Sequence, residues 1–395
     1  MGLEAPATHG RLVRLRKGDL QLFIGYLITV VLMAAATALG LWAPRRPHLL
    51  ARASFWVGQV IRELPAYALA WLLISTVLAW VDGAFTAAAN WPALALASLT
   101  TVGLTIIAAR GVAARAAVDA ALTPLERASN QHRHAPHRWP SAIQGLLFPF
   151  TVPGRAVRRV TNIAYGSDRK QRLDVWLPRS RPADQPPRPV LVYLHGGGYF
   201  SGSRRRTAQE LLARFARNGW VCVTADYRLR PQVGLDGHLA DARSVMSWSR
   251  EHAAEYGADP GPVVLIGSSA GAHMSSIIAL SGDEVAAVVG YCGYYGAYYG
   301  AEQGQSSPIS LANSDAPPFL VVDGSHDTDV PRELAAQFVA RLKAVSTAPV
   351  VRIELPGAQH NFDLRASVRF GAVIAGTARF LDAIGVSGHR QDELG

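Results

Sequence analysis

The sequence predicts an α/β fold, a mostly parallel sheet flanked by helices, preceded by an all-α apolar region. Three observations carry this. From Val160 onward, short apolar runs alternate with stretches of helical spacing, the pattern of βαβ units. Before residue 110, three long runs contain no charged residue. At Val263–Ala272 (V-V-L-I-G-S-S-A-G-A), a β-branched strand runs into a serine set between glycines and then into a small-residue helix start.

The apolar runs are Leu20–Trp42, Leu64–Val81 and Ala84–Ala109. Each approaches or exceeds the roughly 20 residues that a helix needs to cross a hydrocarbon core. Trp42, Trp80 and Trp91 stand near their ends, where interfacial aromatics belong. The first run is longer than a secretory signal core, and further spans follow it. Residues 1–128 are therefore expected to form a transmembrane helical region of about three spans, 20–42, 64–81 and 84–109, with the lipid bilayer as partner. Residues 129–155 read as a linker and possible cap segment. Its His132, His134 and His137 lack acidic or cysteine partners at ligand spacing, so no metal is expected.

Charge supports the division. The net charge of +10 lies wholly in residues 1–160, with 16 Lys and Arg against 6 Asp and Glu; the remainder carries 23 of each. A neutral α/β half with a basic apolar leader fits a membrane-proximal protein and gives no reason to expect nucleic acid as partner. Three full spans with the C-terminal half in the cytoplasm leave nine span-flanking Arg inside and four basic residues outside. A multi-pass membrane protein with a cytoplasmic α/β half is the expectation. Cys222 and Cys292 lie in apolar strand-like runs and read as buried free thiols.

In the α/β half, Thr161–Tyr165 and Arg172–Leu177 read as an initial strand pair, and Arg188–His195 as a buried strand. Thr207–Asn218 has helical spacing, Trp220–Ala225 is the next strand, and Leu239–Tyr256 the next helix. After the Val263 strand come strands Glu284–Cys292, Pro318–Val322 and Val350–Leu355. Helices Arg332–Leu342 and Val368–Ile384 flank them. The folded half spans 156–385, and 386–395 is a tail.

The chemistry gathers at strand ends. Gly267-Ser268-Ser269-Ala270-Gly271 is G-x-S-x-G between a strand and a helix, the nucleophile elbow of α/β-hydrolases. The Val190–Leu194 strand ends in His195-Gly196-Gly197-Gly198-Tyr199, whose glycines leave backbone N–H groups unshielded. The N–H groups of Gly197, Gly198 and Ala270 could form an oxyanion hole, with His195 and Gly196 supporting the loop. A serine nucleophile needs a histidine base oriented by a carboxylate, and in this fold the chain order is Ser, acid, His. Asp323, Asp327 and Asp329 are the candidate acids. His360, in a loop after the last strand, is the candidate base, with His273 and His326 as competitors.

These residues carry a resemblance. H-G-G-G-Y-F-S-G-S, D-Y-R-L (Asp226–Leu229) and G-S-S-A-G together resemble the esterases related to hormone-sensitive lipase. Arg230, Gln232 and Ser268 depart from that family's usual Ala, Glu and Asp. Y-G-S-D-R-K-Q-R-L-D-V-W-L-P (Tyr165–Pro178) is similar to the broader carboxylesterase and feruloyl-esterase-like group. The resemblance covers about 155–384 and implies an α/β-hydrolase fold and a serine carboxylesterase or lipase using no cofactor. The family's acid position matches Asp327, and G-A-x-H-x-F resembles its catalytic-histidine segment. The implied triad is thus Ser269, Asp327 and His360, acting on a small-molecule or lipid ester. An acyltransferase with the same triad, or a silent hydrolase-like binding domain, are the alternatives. Tyr291, Tyr294, Tyr295, Tyr298 and Tyr299 line a pocket or pack a loop; Arg204–Arg206 reads as a solvated face.

Overall fold

A computed structural model describes residues 17–129, 156–180, 187–301 and 303–386. The linker histidines, Ile143–Phe150 and the tail after 386 lie outside the described residues.

Eight strands form one sheet in the order β1-β2-β4-β3-β5-β6-β7-β8. These are β1 (Val157–Ala164), β2 (Arg172–Pro178), β3 (Val190–Leu194), β4 (Val221–Ala225), β5 (Val263–Ser268), β6 (Val285–Tyr291), β7 (Phe319–Gly324) and β8 (Val350–Leu355). β1 and β2 are antiparallel; from β4 to β8 every pairing is parallel. The inner strands are buried on both faces, which explains their continuous β-branched runs.

Alternation along each strand divides the core in two. Val190, Val192, Val221, Val223, Val263 and Leu265 face one side. Leu191, Tyr193, Cys222, Val264 and Ile266 face the other. Both cysteines are buried and free.

Four long helices precede the sheet: α1 (Lys17–Trp42), α2 (His48–Glu63), α3 (Pro65–Val81) and α4 (Trp91–Ala128). Phe23–Trp42 and Ala88–Ala128 are long and apolar enough to cross a membrane, and α2 with α3 forms a pair bent by 84°. Many apolar side chains point outward from this bundle, including Ile28, Leu32, Leu73, Val77 and Leu99. Its interior is stitched by small residues: a Cβ on Gly40 would lie 2.9 Å from Ile107.

Two features differ from the sequence reading. The run beginning at Ala84 opens as two 3₁₀ turns, and its helix starts only at Trp91, with Pro92 in its first turn. That helix runs on to Ala128, as the Ala- and Arg-rich stretch 111–128 suggests. Its second half changes environment, and Ala114, Val118 and Leu122 enter the core behind the sheet beside Val373 and Ile374. Arg379 ties the junction, bonding Glu126 at 2.7 Å and also Asp119.

Five longer helices complete the α/β half: α5 (Gln209–Arg217), α6 (Leu235–Glu251), α7 (Ala270–Leu280), α8 (Arg332–Val345) and α9 (Val368–Ala383).

Candidate active site

The three residues implied as a triad meet at the C-terminal edge of the sheet, where α/β folds gather their ligands. Ser269 stands between β5 and α7 with φ 52° and ψ −114°, a backbone conformation that L-residues rarely adopt. The flanking glycines make this turn possible. A Cβ on Gly271 would collide with the Leu194 carbonyl oxygen, and one on Gly267 with the Gly271 backbone.

Ser269 Oγ lies 3.0 Å from His360 Nε2, and His360 Nδ1 lies 2.7 Å from Asp327 Oδ2. The carboxylate can only accept, so Nδ1 carries the proton and Nε2 is left to accept from the serine hydroxyl. Asp327 is itself held, its Oδ1 accepting from the N–H groups of Asp329 and Val330 at 2.8 Å each. Burial disfavours a charged imidazole at His360, but the Asp327 carboxylate outweighs it, with Asp329 and Asp363 adding to the effect. The imidazole is pushed up to about 9.

The other candidates fall elsewhere. Asp323 is buried in a bidentate pair with Arg352, at 2.8 and 2.7 Å. Burial raises its carboxyl to about 6 against that pair. Asp329 is exposed and lies 3.5 Å from Nε2 of His360, the wrong nitrogen for an orienting acid. His273 has both nitrogens occupied. Gly296 O accepts from Nε2 at 3.0 Å, which leaves Nδ1 to accept from the Tyr199 hydroxyl at 2.7 Å. Burial lowers it to about 4, so it is a neutral strut.

The glycine loop lies directly against the elbow. A Cβ on Gly196 would sit 2.9 Å from Ser268 O and 3.1 Å from Ser269 Cβ. Gly197 has φ 118° and Gly198 has φ 59°, so the chain turns here in a way that favours glycine. His195 braces the loop: its Nδ1 donates to Gly196 O at 2.7 Å, and its ring stacks on Tyr227 at 4.3 Å. The Tyr227 hydroxyl donates back to His195 O at 2.8 Å.

The Arg204–Arg206 run corrects the expectation of a solvated face. Arg205 and Arg206 are exposed, but Arg204 is buried. Its Nε bonds Asp174 Oδ1 at 2.9 Å and its Nη1 bonds Asp226. Two carboxylates offset the desolvation of one guanidinium. The tyrosine cluster divides likewise. Tyr291 and Tyr295 are core residues, bonded to Thr377 at 2.7 Å and stacked on Phe338 at 4.4 Å. Tyr299 is exposed beside the glycine loop, its hydroxyl 3.3 Å from where a Gly198 Cβ would be.

Sequence reasoning missed three contributors. Gln359 bridges the acid and histidine loops, its Oε1 accepting from Thr328 N at 2.7 Å and from His360 N at 3.0 Å. Asp363, fully buried behind His360, accepts from the Tyr193 hydroxyl at 2.8 Å, and burial raises its carboxyl. Helix α2 packs on both loops. Arg45 Nε, just before it, donates to Asp327 O at 3.1 Å, and Gln59 Nε2 donates to Asn361 O at 3.1 Å. The polar residues of α2 were a visible signal, but such spacing does not say which neighbour they meet. Among the described residues, no group of three His, Cys, Asp or Glu could hold a metal.

A family model described as BD-FAE matches residues 173–303. The chain is 32% identical to Esterase LipC of Mycobacterium tuberculosis, over 63% of this chain and 70% of that protein. It is 29% identical to the probable carboxylic ester hydrolase LipM of the same organism, over 94% of this chain and 96% of that one. Among solved structures it is similar to the apo form of Thermogutta terrifontis esterase 2. That match has 25% identity and a TM-score of 0.52, covering 60% of this chain and 97% of the esterase.

Proposed function

The chain belongs to the carboxylic ester hydrolases of the α/β-hydrolase fold, and from that premise we propose that it works through a Ser269–His360–Asp327 triad while anchored in a membrane. One observation carries the reading: two consecutive hydrogen bonds, 3.0 and 2.7 Å long, link a strained serine to a buried carboxylate through one imidazole. His360 Nε2 takes the Ser269 proton as Oγ attacks the ester carbonyl. Negative charge collects on the carbonyl oxygen. The N–H groups of Gly197, Gly198 and Ala270 are proposed to receive it, each donor being worth about 2.7–4 kcal/mol. The imidazolium then hands its proton to the departing alcohol. Water, deprotonated by the same imidazole, releases the acid and restores Ser269. His195 and Gly196 hold the loop in shape. The reaction so derived draws on no cofactor.

The anchor would be α1, α3 and α4. Its support is the outward apolar surface and the length of α1 and α4. Arg62 and Arg110 bond the main-chain carbonyls of Gly40 and Leu41. Setting aside those two, and Arg45, which bonds the Asp327 carbonyl, the side bearing the active site still holds six basic residues against four, which favours the cytoplasm.

Ser269→Ala should abolish p-nitrophenyl ester hydrolysis and labelling by a fluorophosphonate while the circular dichroism stays unchanged. Retained turnover would remove Ser269 from the mechanism.

A further inference from the structure

Helix α2 carries its polarity inside out. Ser54, Gln59, Arg62 and Glu63 are buried, whereas Leu49 is 80% and Trp56 66% exposed, with Val57 and Val60 beside them. A helix on a water-facing surface shows the reverse. The buried polar face is fastened to the hydrolase half: Ser367 Oγ donates to Glu63 Oε2 at 2.6 Å, and Gln359 Nε2 donates to Ser54 O at 3.4 Å. The apolar face therefore looks away from the sheet.

The direction of α2 identifies what covers that face. It meets α3 at an 84° bend. With α3 crossing a bilayer, α2 lies nearly flat in the membrane plane. Trp42 at the end of α1 is 74% exposed, and Tyr67 at the start of α3 is exposed too. Both sit at the level of α2, where interfacial aromatics gather. Arg46 and Arg52 are exposed on the same segment and suit anionic headgroups. The apolar face is thus continuous with the outward surface of the spans.

The other side of this helix touches the catalytic loops. The Phe55 ring lies 6.1 Å from the His360 ring, centroid to centroid. A helix is about 10 Å thick, so the reacting groups sit roughly one helix diameter from the lipid.

We propose that α2 lies in the bilayer interface with its apolar face in the lipid, and that the enzyme takes its ester from the membrane. The substrate class is a membrane-dissolved ester with a long acyl or alkyl chain, reaching Ser269 around the edge of α2. This rests on the anchored-triad reading above.

The test uses the full chain in vesicles of phosphatidylcholine and phosphatidylglycerol. Leu49→Ser/Trp56→Ser should lower kcat/KM at least tenfold for p-nitrophenyl palmitate dissolved in the vesicles, and leave p-nitrophenyl acetate within twofold. Lipids brominated near the headgroup should quench wild-type fluorescence more than that of Trp56→Phe, a variant that keeps the packing. Equal quenching, or an equal fall for both esters, overturns the proposal. So does a cross-link across Trp56 to a second copy of the chain. Failure of the underlying reading shows separately, as alkaline extraction of the wild type or activity in Ser269→Ala.

Discussion

Arg369, on the last helix, and Glu63, on the last turn of α2, form an ion pair with both side chains 1% exposed. It joins the apolar helices to the hydrolase half nine residues past His360, the proposed base. Neither charge has water to fall back on, so removing one partner leaves the other buried and uncompensated. Glu63→Ala should cost about 3–5 kcal/mol, read as a drop in Tm of the full chain. Arg369→Met paired with Glu63→Met should recover much of that loss, because a well-packed apolar pair has no charge to desolvate.

Asp327 holds the imidazole tautomer through Nδ1. Asp327→Asn keeps the shape but offers an amide that can present N–H to the ring. The proton then shifts to Nε2, where it cannot accept from Ser269. The expected fall in kcat is on the order of 10⁴-fold with short esters, with KM little changed. Asp329→Asn should leave most activity, since Asp329 faces the other nitrogen.

His360 has its pKa raised from 6.5 to about 9. The charged form is favoured in the folded state, so its contribution to stability is full below pH 6.5 and lost as pH rises through about 9. Catalysis has the opposite sign, because the base must be neutral. The pH profile of kcat/KM should rise along a limb above 6.5, toward about 9. In Asp327→Asn the residual activity should show this limb displaced to lower pH, since burial then acts with less opposition.

Gly271 tests the elbow by sterics alone. Its Cβ would meet backbone at Leu194 and His195, which no rotamer can relieve. Gly271→Ala should abolish fluorophosphonate labelling and lower Tm. Gly282→Ala, at an open position after α7, should keep the labelling, and its positive φ of 87° should cost only modest stability.

Much of this protein was legible in its residues. The β-branched runs and the glycines beside Ser269 are local patterns, and local patterns survive without a partner; Asp327 and His360 were named only through the resemblance. Periodicity sets which face of a strand is buried, and a five-residue turn carries its own steric demand. The apolar runs were plain for the same reason, because a long run without charge needs no neighbour to be recognised.

Tertiary structure alone decided which groups meet. Arg204 looked like one arginine of a solvated run until Asp174 and Asp226 closed on it. Asp329 could not be set aside as the acid until it lay on the Nε2 side of the ring. Helix α4 could not be seen to pass from the bundle into the hydrolase core before Val118 met α9. The polar face of α2 could not be seen to meet the loop of His360 before Gln59 reached the Asn361 carbonyl. In each case the pairing joins residues far apart in the chain or facing each other across a loop. Burial and hydrogen-bond satisfaction, which settle such pairings, depend on proximity in space rather than on spacing along the polypeptide.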